Sequence, residues 1–197
     1  VSYDLASFNH PQVAARPRLV SQYVAAPATP TPTPQPTLTT VVLNAVADTG
    51  LNAWTTDTNY GSTAYLPLRT YGLKRPLLRF DLSALPAGAI VTQATFKALT
   101  LGTTSYSMNV EAVGLVRPWN EYQATWNAAR SGVSWSVPGA DGAGDDRLAT
   151  PVGSRVLLGS ARWWDWDVTG LVRDWASGAL ANNGLMLVTR NDDVHQQ

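Results

Sequence analysis

The chain has 197 residues, balances 14 Lys+Arg against 14 Asp+Glu, and contains no cysteine. Its length fits one domain with a substantial core, or one domain plus an arm. Neutral net charge with only two lysines argues against nucleic-acid or membrane-surface partners, and the missing cysteine removes disulfide frameworks and thiolate metal sites.

No apolar run approaches the roughly 18 residues of a membrane span, so none is expected. The opening at Val1 fits either a removed leader or one segment of a longer polypeptide. Abundant Trp, Tyr, Thr, Val, Gly and Pro favour an all-β protein with many turns.

Two strands are expected in residues 1–24, around Val1–Phe8 and Arg16–Val24, with Pro17 near the start of the second, where proline is tolerated. Pro27 to Thr37 alternates proline with threonine. Regular proline cannot join a sheet ladder, so this stretch reads as a polyproline-II spacer at about 3.1 Å per residue. Its Thr29, Thr31, Thr33 and Thr37 are candidate O-glycosylation sites. The domain plan is therefore an arm over 1–24, a linker over 25–39 and a main domain over 40–197.

In the main domain, strands are expected at Thr40–Ala47, Tyr65–Arg69, Arg75–Leu82, Ile90–Leu99, Met108–Leu115 and Val152–Leu158. Turn-rich stretches follow Asp48 and Asp57, a Trp-rich loop covers 117–135, and a glycine-acidic loop covers 140–146. Trp164, Trp166 and Val168 alternate with Asp165 and Asp167, the period of a half-buried strand. Thr169 then reads as the N-cap of a short helical turn that Gly178 ends. Asn182-Asn183-Gly184 is a turn, and Leu185-Met186-Leu187-Val188 is an apolar run of strand length. Many short strands between such turns imply a sandwich rather than alternating βα units.

Five segments then carry a resemblance: Asp57-Thr-Asn-Tyr-Gly-Ser62, Arg79-Phe-Asp-Leu-Ser-Ala-Leu-Pro-Ala-Gly-Ala89, Arg117-Pro-Trp-Asn-Glu121 with Thr125-Trp-Asn127, Asp167-Val-Thr-Gly-Leu-Val172, and Asn183-Gly-Leu185. In this order they resemble the DNRLRE-type β-sandwich domain over roughly residues 40–190. The resemblance implies a jelly-roll-like antiparallel sandwich, an exported bacterial protein and no catalysis by the domain itself. For members classed as carbohydrate-binding modules, it implies alginate-like ligands.

The departure is at the end. Family members continue after the Asn-Gly-Leu strand with a phenylalanine-serine segment and a strand of the Arg-Pro-x-Leu-x-Val-x-Tyr type. Here that pattern stands at the front, as Ala6-Ser-Phe8 and Arg16-Pro-Arg-Leu-Val-Ser-Gln-Tyr-Val24. Leu185, Met186, Leu187 and Val188 would then form an acceptor edge, and Phe8, Arg16, Leu19, Val20, Tyr23 and Val24 the strand that fills it. Three arrangements fit: completion of a neighbouring copy by strand addition, tandem repeats cut out of phase, or self-closure. An unfilled apolar edge is what proteins avoid, so something must fill it.

Little points to catalysis. There is no Gly-x-Ser-x-Gly elbow, no phosphate loop and no singled-out carboxylate pair, and His10 and His195 read as surface loop histidines. No enzyme activity is expected and no cofactor is required. Calcium is the metal the loop oxygens would suit, at Asp141, Asp145 and Asp146 or at Asp48, Asp57 and Asn59. Trp54, Tyr60 and Tyr71, in turn-rich stretches, are candidate glycan contacts, with arginines to read uronic acids. The leading expectation is a non-catalytic unit of an extracellular fibre or surface array whose partners are identical copies. The alternative is an acidic-polysaccharide-binding module closed on itself.

Overall fold

A computed structural model describes residues 2–25, 37–102 and 104–190 of the chain. The strands are β1 (Ser2–Ala6), β2 (Arg18–Val24), β3 (Leu38–Asn52), β4 (Tyr65–Arg69), β5 (Lys74–Phe80), β6 (Ile90–Leu99) and β7 (Thr104–Gly114). They continue as β8 (Ala128–Arg130), β9 (Val133–Ser134), β10 (Gly153–Gly159), β11 (Trp163–Asp167) and β12 (Leu185–Thr189); the one α-helix among the described residues is α1 (Thr169–Ser177). Eight strands run in the order β10-β7-β12-β5-β3-β2-β6-β11, with β4 on β5 and β1 on β4. All these pairings are antiparallel. The fold is all-β, sandwich-like and nearly closed. At the remaining seam Arg155 Nε of β10 donates to the Asp165 carbonyl of β11 at 3.0 Å.

β3 explains how one strand serves both layers. Its first half pairs with β2, and its second half pairs with β5 after a bulge between Ala45 and Ala47. A bulge bends and twists a strand, which lets it cross from one sheet to the other. β3 therefore runs on through Asp48 to Asn52, past the turn expected there.

Two apolar clusters fill the molecule. The larger gathers Leu5, Leu19, Phe80, Phe96, Trp164, Trp166, Leu171, Trp175, Leu185 and Leu187. The smaller, beneath the Trp-rich loop, gathers Leu51, Leu77, Val113, Trp119, Trp135, Met186 and Val188. β12 stands between them. Leu185 and Leu187 face one cluster and Met186 and Val188 the other, so its unbroken apolar run reports burial on both faces.

β11 follows its alternation, with Trp164 and Trp166 buried and Asp165 and Asp167 more exposed. The indole nitrogens are satisfied: Trp166 Nε1 donates to the Val110 carbonyl at 3.0 Å and Trp164 Nε1 to Thr100 Oγ1 at 3.1 Å. In α1, Leu171, Val172 and Trp175 face inward, and Gly178 closes the helix at φ 77°. The N-cap differs from expectation. Thr169 lies inside the helix, and Asp167 Oδ1 accepts its N–H at 2.9 Å and its hydroxyl at 2.6 Å.

Two assignments of the assembly elements need correction. Leu185–Val188 is not an edge, because β12 lies between β7 and β5. The slot filled by the N-terminal strand is the one between β3 and β6, and in this structure β2 of the same chain fills it. His10 is also not a surface residue. It is buried, edge-on to Tyr65 with ring centroids 5.6 Å apart.

Candidate assembly site

β2 alternates by face. Leu19, Ser21 and Tyr23 point into the core, while Arg18, Val20, Gln22 and Val24 lie on the partly exposed face. Leu19 is registered between Leu43 of β3 and Phe96 of β6, and its side chain is fully buried. Of the six residues expected to fill an acceptor, Leu19, Val20, Tyr23 and Val24 lie in β2. Arg16 lies just before it and donates through Nε to the His10 carbonyl at 2.9 Å.

β1 and the turn after it fasten the arm. Tyr3, Leu5 and Ala6 are buried, and Ser7 Oγ donates to the Thr63 carbonyl at 2.7 Å. Asn9 Nδ2 donates to the Gly61 carbonyl at 3.0 Å. Phe8 lies in a turn rather than a strand, packed against the larger cluster, and its backbone N–H donates to Asp48 Oδ2. Asp48 is wholly buried and its Oδ1 has no hydrogen-bond partner. Burial pushes its carboxyl up to about 7; the Phe8 N–H opposes this and the nearby Glu121 adds to it. Glu121 itself accepts the Asp48 N–H at 3.3 Å, and burial raises its carboxyl too.

The first and last described strands meet at one residue. Ser2 is the register partner of Arg69, and Thr189 Oγ1 donates to the Arg69 carbonyl at 2.9 Å. At the other end of the arm, Val24 and Leu38 are direct register partners. The segment 25–37 thus joins neighbouring positions.

The candidate glycan contacts divide. Trp54 is 58% exposed, with the Arg69 guanidinium 4.5 Å and the Lys74 ammonium 5.2 Å from its ring centroid. Tyr71 is exposed at the tight turn between β4 and β5, where its φ is 61°. Tyr60 is half-buried and its hydroxyl is engaged by Asn52 and Thr55. Trp54 and the Arg69–Lys74 pair form one surface.

The candidate calcium ligands are not brought together as an oxygen cage, and among the described residues no group of three acidic or histidine side chains could hold a metal ion. Asp141 faces Arg75 at 3.3 Å and Arg147 at 2.9 Å. Asp146 is buried and takes N–H groups from Ser136, Val137 and Gly142, the Ser136 hydroxyl, and Arg117 Nε at 2.6 Å. Burial alone would raise its carboxyl, but these donors hold it at about 2. Asp145 is exposed. In the other group Asp57 accepts from Asn127, and Asn59 donates to the Glu121 and Ala124 carbonyls.

Sequence reasoning missed Asp48 and Asp146 as buried anchors, and also Arg75, whose donors reach the Gly72 and Gly139 carbonyls. Asp48 lies at an odd spacing from Leu43 and Ala45, so alternation gave no signal; it is enclosed because every residue from Ala47 to Asn52, past the bulge, is buried. Thr37 is exposed; Thr29, Thr31, Thr33 and His195 lie outside the described residues.

The model of one protein family, the disaggregatase related repeat domain, matches residues 48–196. The chain belongs to this family. The match covers β4 to β12 and the end of β3 from Asp48, and leaves β1 and β2 outside it. It gives a β-rich repeat in place of the more specific DNRLRE assignment. No curated protein matches the chain.

Proposed function

We propose that the domain is a non-catalytic structural repeat of an extracellular fibre or surface array, with identical copies joined head to tail by strand complementation or tandem repetition. One observation carries this reading. β2, which belongs to the arm before the Thr/Pro segment, is a central strand, and removing it would open β3 and β6 together. Two opened edges with an apolar face between them recruit another strand. Membership in a repeat-domain family supports the same reading.

The test is a chain lacking residues 1–25. Expected is an insoluble or molten product that regains a cooperative thermal transition when a peptide of residues 1–25 is added. A soluble, cooperatively folded monomer without the peptide would overturn the proposal.

A second reading, an acidic-polysaccharide-binding module as the DNRLRE resemblance implies, is favoured by the exposed Trp54 beside Arg69 and Lys74. An indole face can stack on a pyranose ring while the cations pair with uronate carboxylates. Retention on an alginate column, lost in Trp54→Ala, would support it; equal elution of both proteins would remove it.

A further inference from the structure

Resting on the polysaccharide reading for its class of ligand but on other residues, we propose a second glycan site at the seam between β10 and β11. It takes one sugar ring that carries an oxyanion, either a carboxylate or a sulfate ester. Arg155 and Arg162 hold the oxyanion, and Trp163 receives the ring.

The cleft follows from the way the two edge strands diverge. At one end they touch: a Cβ on Gly153 would lie 2.7 Å from the Asp167 carbonyl oxygen. Next along β10, the Arg155 side chain spans the gap to the Asp165 carbonyl. At the far end, past an irregularity between Leu157 and Gly159, a Cβ on Gly159 would meet nothing within 4 Å. The cavity at this seam has about 420 Å³ and is lined by Arg155, Val156, Arg162, Trp163, Trp164 and Asp165. That volume suits a small ligand.

The backbone adds polar groups. The Arg162 carbonyl accepts from Thr100, and the Val168 N–H donates to Ala94, so both residues bond on the β6 side. By alternation Trp163 and Asp165 turn their N–H and carbonyl groups to the seam.

The charge of the cleft is unbalanced. Arg155 and Arg162 are exposed, and among the described residues neither joins an ion pair. Asp165, the acid of the lining, is matched by Lys97 at 2.9 Å. The Arg162 guanidinium lies 3.8 Å from the Trp164 ring centroid, and that of Arg18 lies 4.5 Å from the Trp163 centroid. Arg18 Nε is buried without a hydrogen-bond partner. Guanidinium groups pair with oxyanions through two N–H groups at once, and an indole offers a face to the C–H side of a sugar. A nucleic acid would need a broader basic surface than this chain of neutral net charge offers.

The test uses three polymers with one backbone: dextran, carboxymethyl-dextran and dextran sulfate. Each is titrated onto the full chain by calorimetry at about 0.15 M salt, where long-range attraction is screened. Binding of a charged polymer without binding of dextran is expected, and the tighter of the two charged polymers tells carboxylate from sulfate. Arg162→Glu should weaken that binding at least about tenfold with the wild-type Tm retained, and Trp163→Ala should weaken it as well. Arg130→Glu, the same charge change at an exposed position on β8, should stay within about twofold of wild type.

Binding that survives Arg162→Glu, an equal loss in Arg130→Glu, or equal binding of dextran overturns the proposal. Trp54→Ala separates the two sites. Loss there with full binding in Arg162→Glu keeps the polysaccharide reading and removes the seam site. No binding of either charged polymer by the wild-type chain removes both.

Discussion

The buried carboxylate of Asp48 accepts the backbone N–H of Phe8, coupling the second layer of the sandwich to the turn that follows β1. Because the folded carboxyl is raised to about 7 from 3.8, the folded state holds a proton that the unfolded chain releases first. Its contribution is complete below the unfolded value and is lost as pH rises towards 7, by on the order of 4 kcal/mol at most. Thermal denaturation should therefore give a lower Tm at pH 8 than at pH 5, and Asp48→Asn should flatten that difference. Equal slopes in the two proteins would contradict the assignment.

Asp146 acts in the opposite direction. With its carboxyl held at about 2, its contribution is present above the unfolded value and is lost as pH falls through the folded one. Asp146→Ala would leave buried N–H groups of the loop unpartnered. We expect it to cost about 3–5 kcal/mol by urea denaturation. We also expect earlier loss of protection from proteolysis in the loop around Trp135 than in the sheet.

Leu19 is fully buried between Leu43 and Phe96. Leu19→Ala should destabilise by about 2–5 kcal/mol through lost burial and the cavity left behind. Val20→Ala, on the partly exposed face of the same strand, should cost clearly less. A reversed order in denaturant midpoints would mean that the strand sits in another register.

Gly184 has φ 83°, and a Cβ there would lie 2.1 Å from the Leu78 carbonyl oxygen. Gly184→Ala therefore combines a disfavoured backbone conformation with a clash against backbone that cannot step aside. A loss of about 3 kcal/mol or more is expected from thermal unfolding, with β12 loosened at its entry.

Local pattern carried the fold class well. Alternation placed Trp164 and Trp166 in the core, Gly178 ended its helix, and the unbroken run of β12 marked a strand. What local pattern does not contain is which strands lie side by side. β12 read as an unfilled edge because its neighbours, β7 and β5, pair with it from more than seventy residues away. β3 read too short because an aspartate after Ala47 resembles a turn signal, whereas here a bulge turns the strand and burial raises the carboxyl. The aromatic candidates were legible only by type. Trp54 and Tyr60 sit in similar stretches, yet only Trp54 is exposed beside cations, while Tyr60 is half-buried with its hydroxyl held by Asn52 and Thr55.

The pairing of Val24 with Leu38 has a mechanical meaning. Tension borne on Val24 and Leu38 would act at the same end of two adjacent antiparallel strands. Load applied there opens the ladder one rung at a time, like a zip, instead of shearing all its rungs at once. A ladder loaded in that way yields at low force and re-forms when the pull stops.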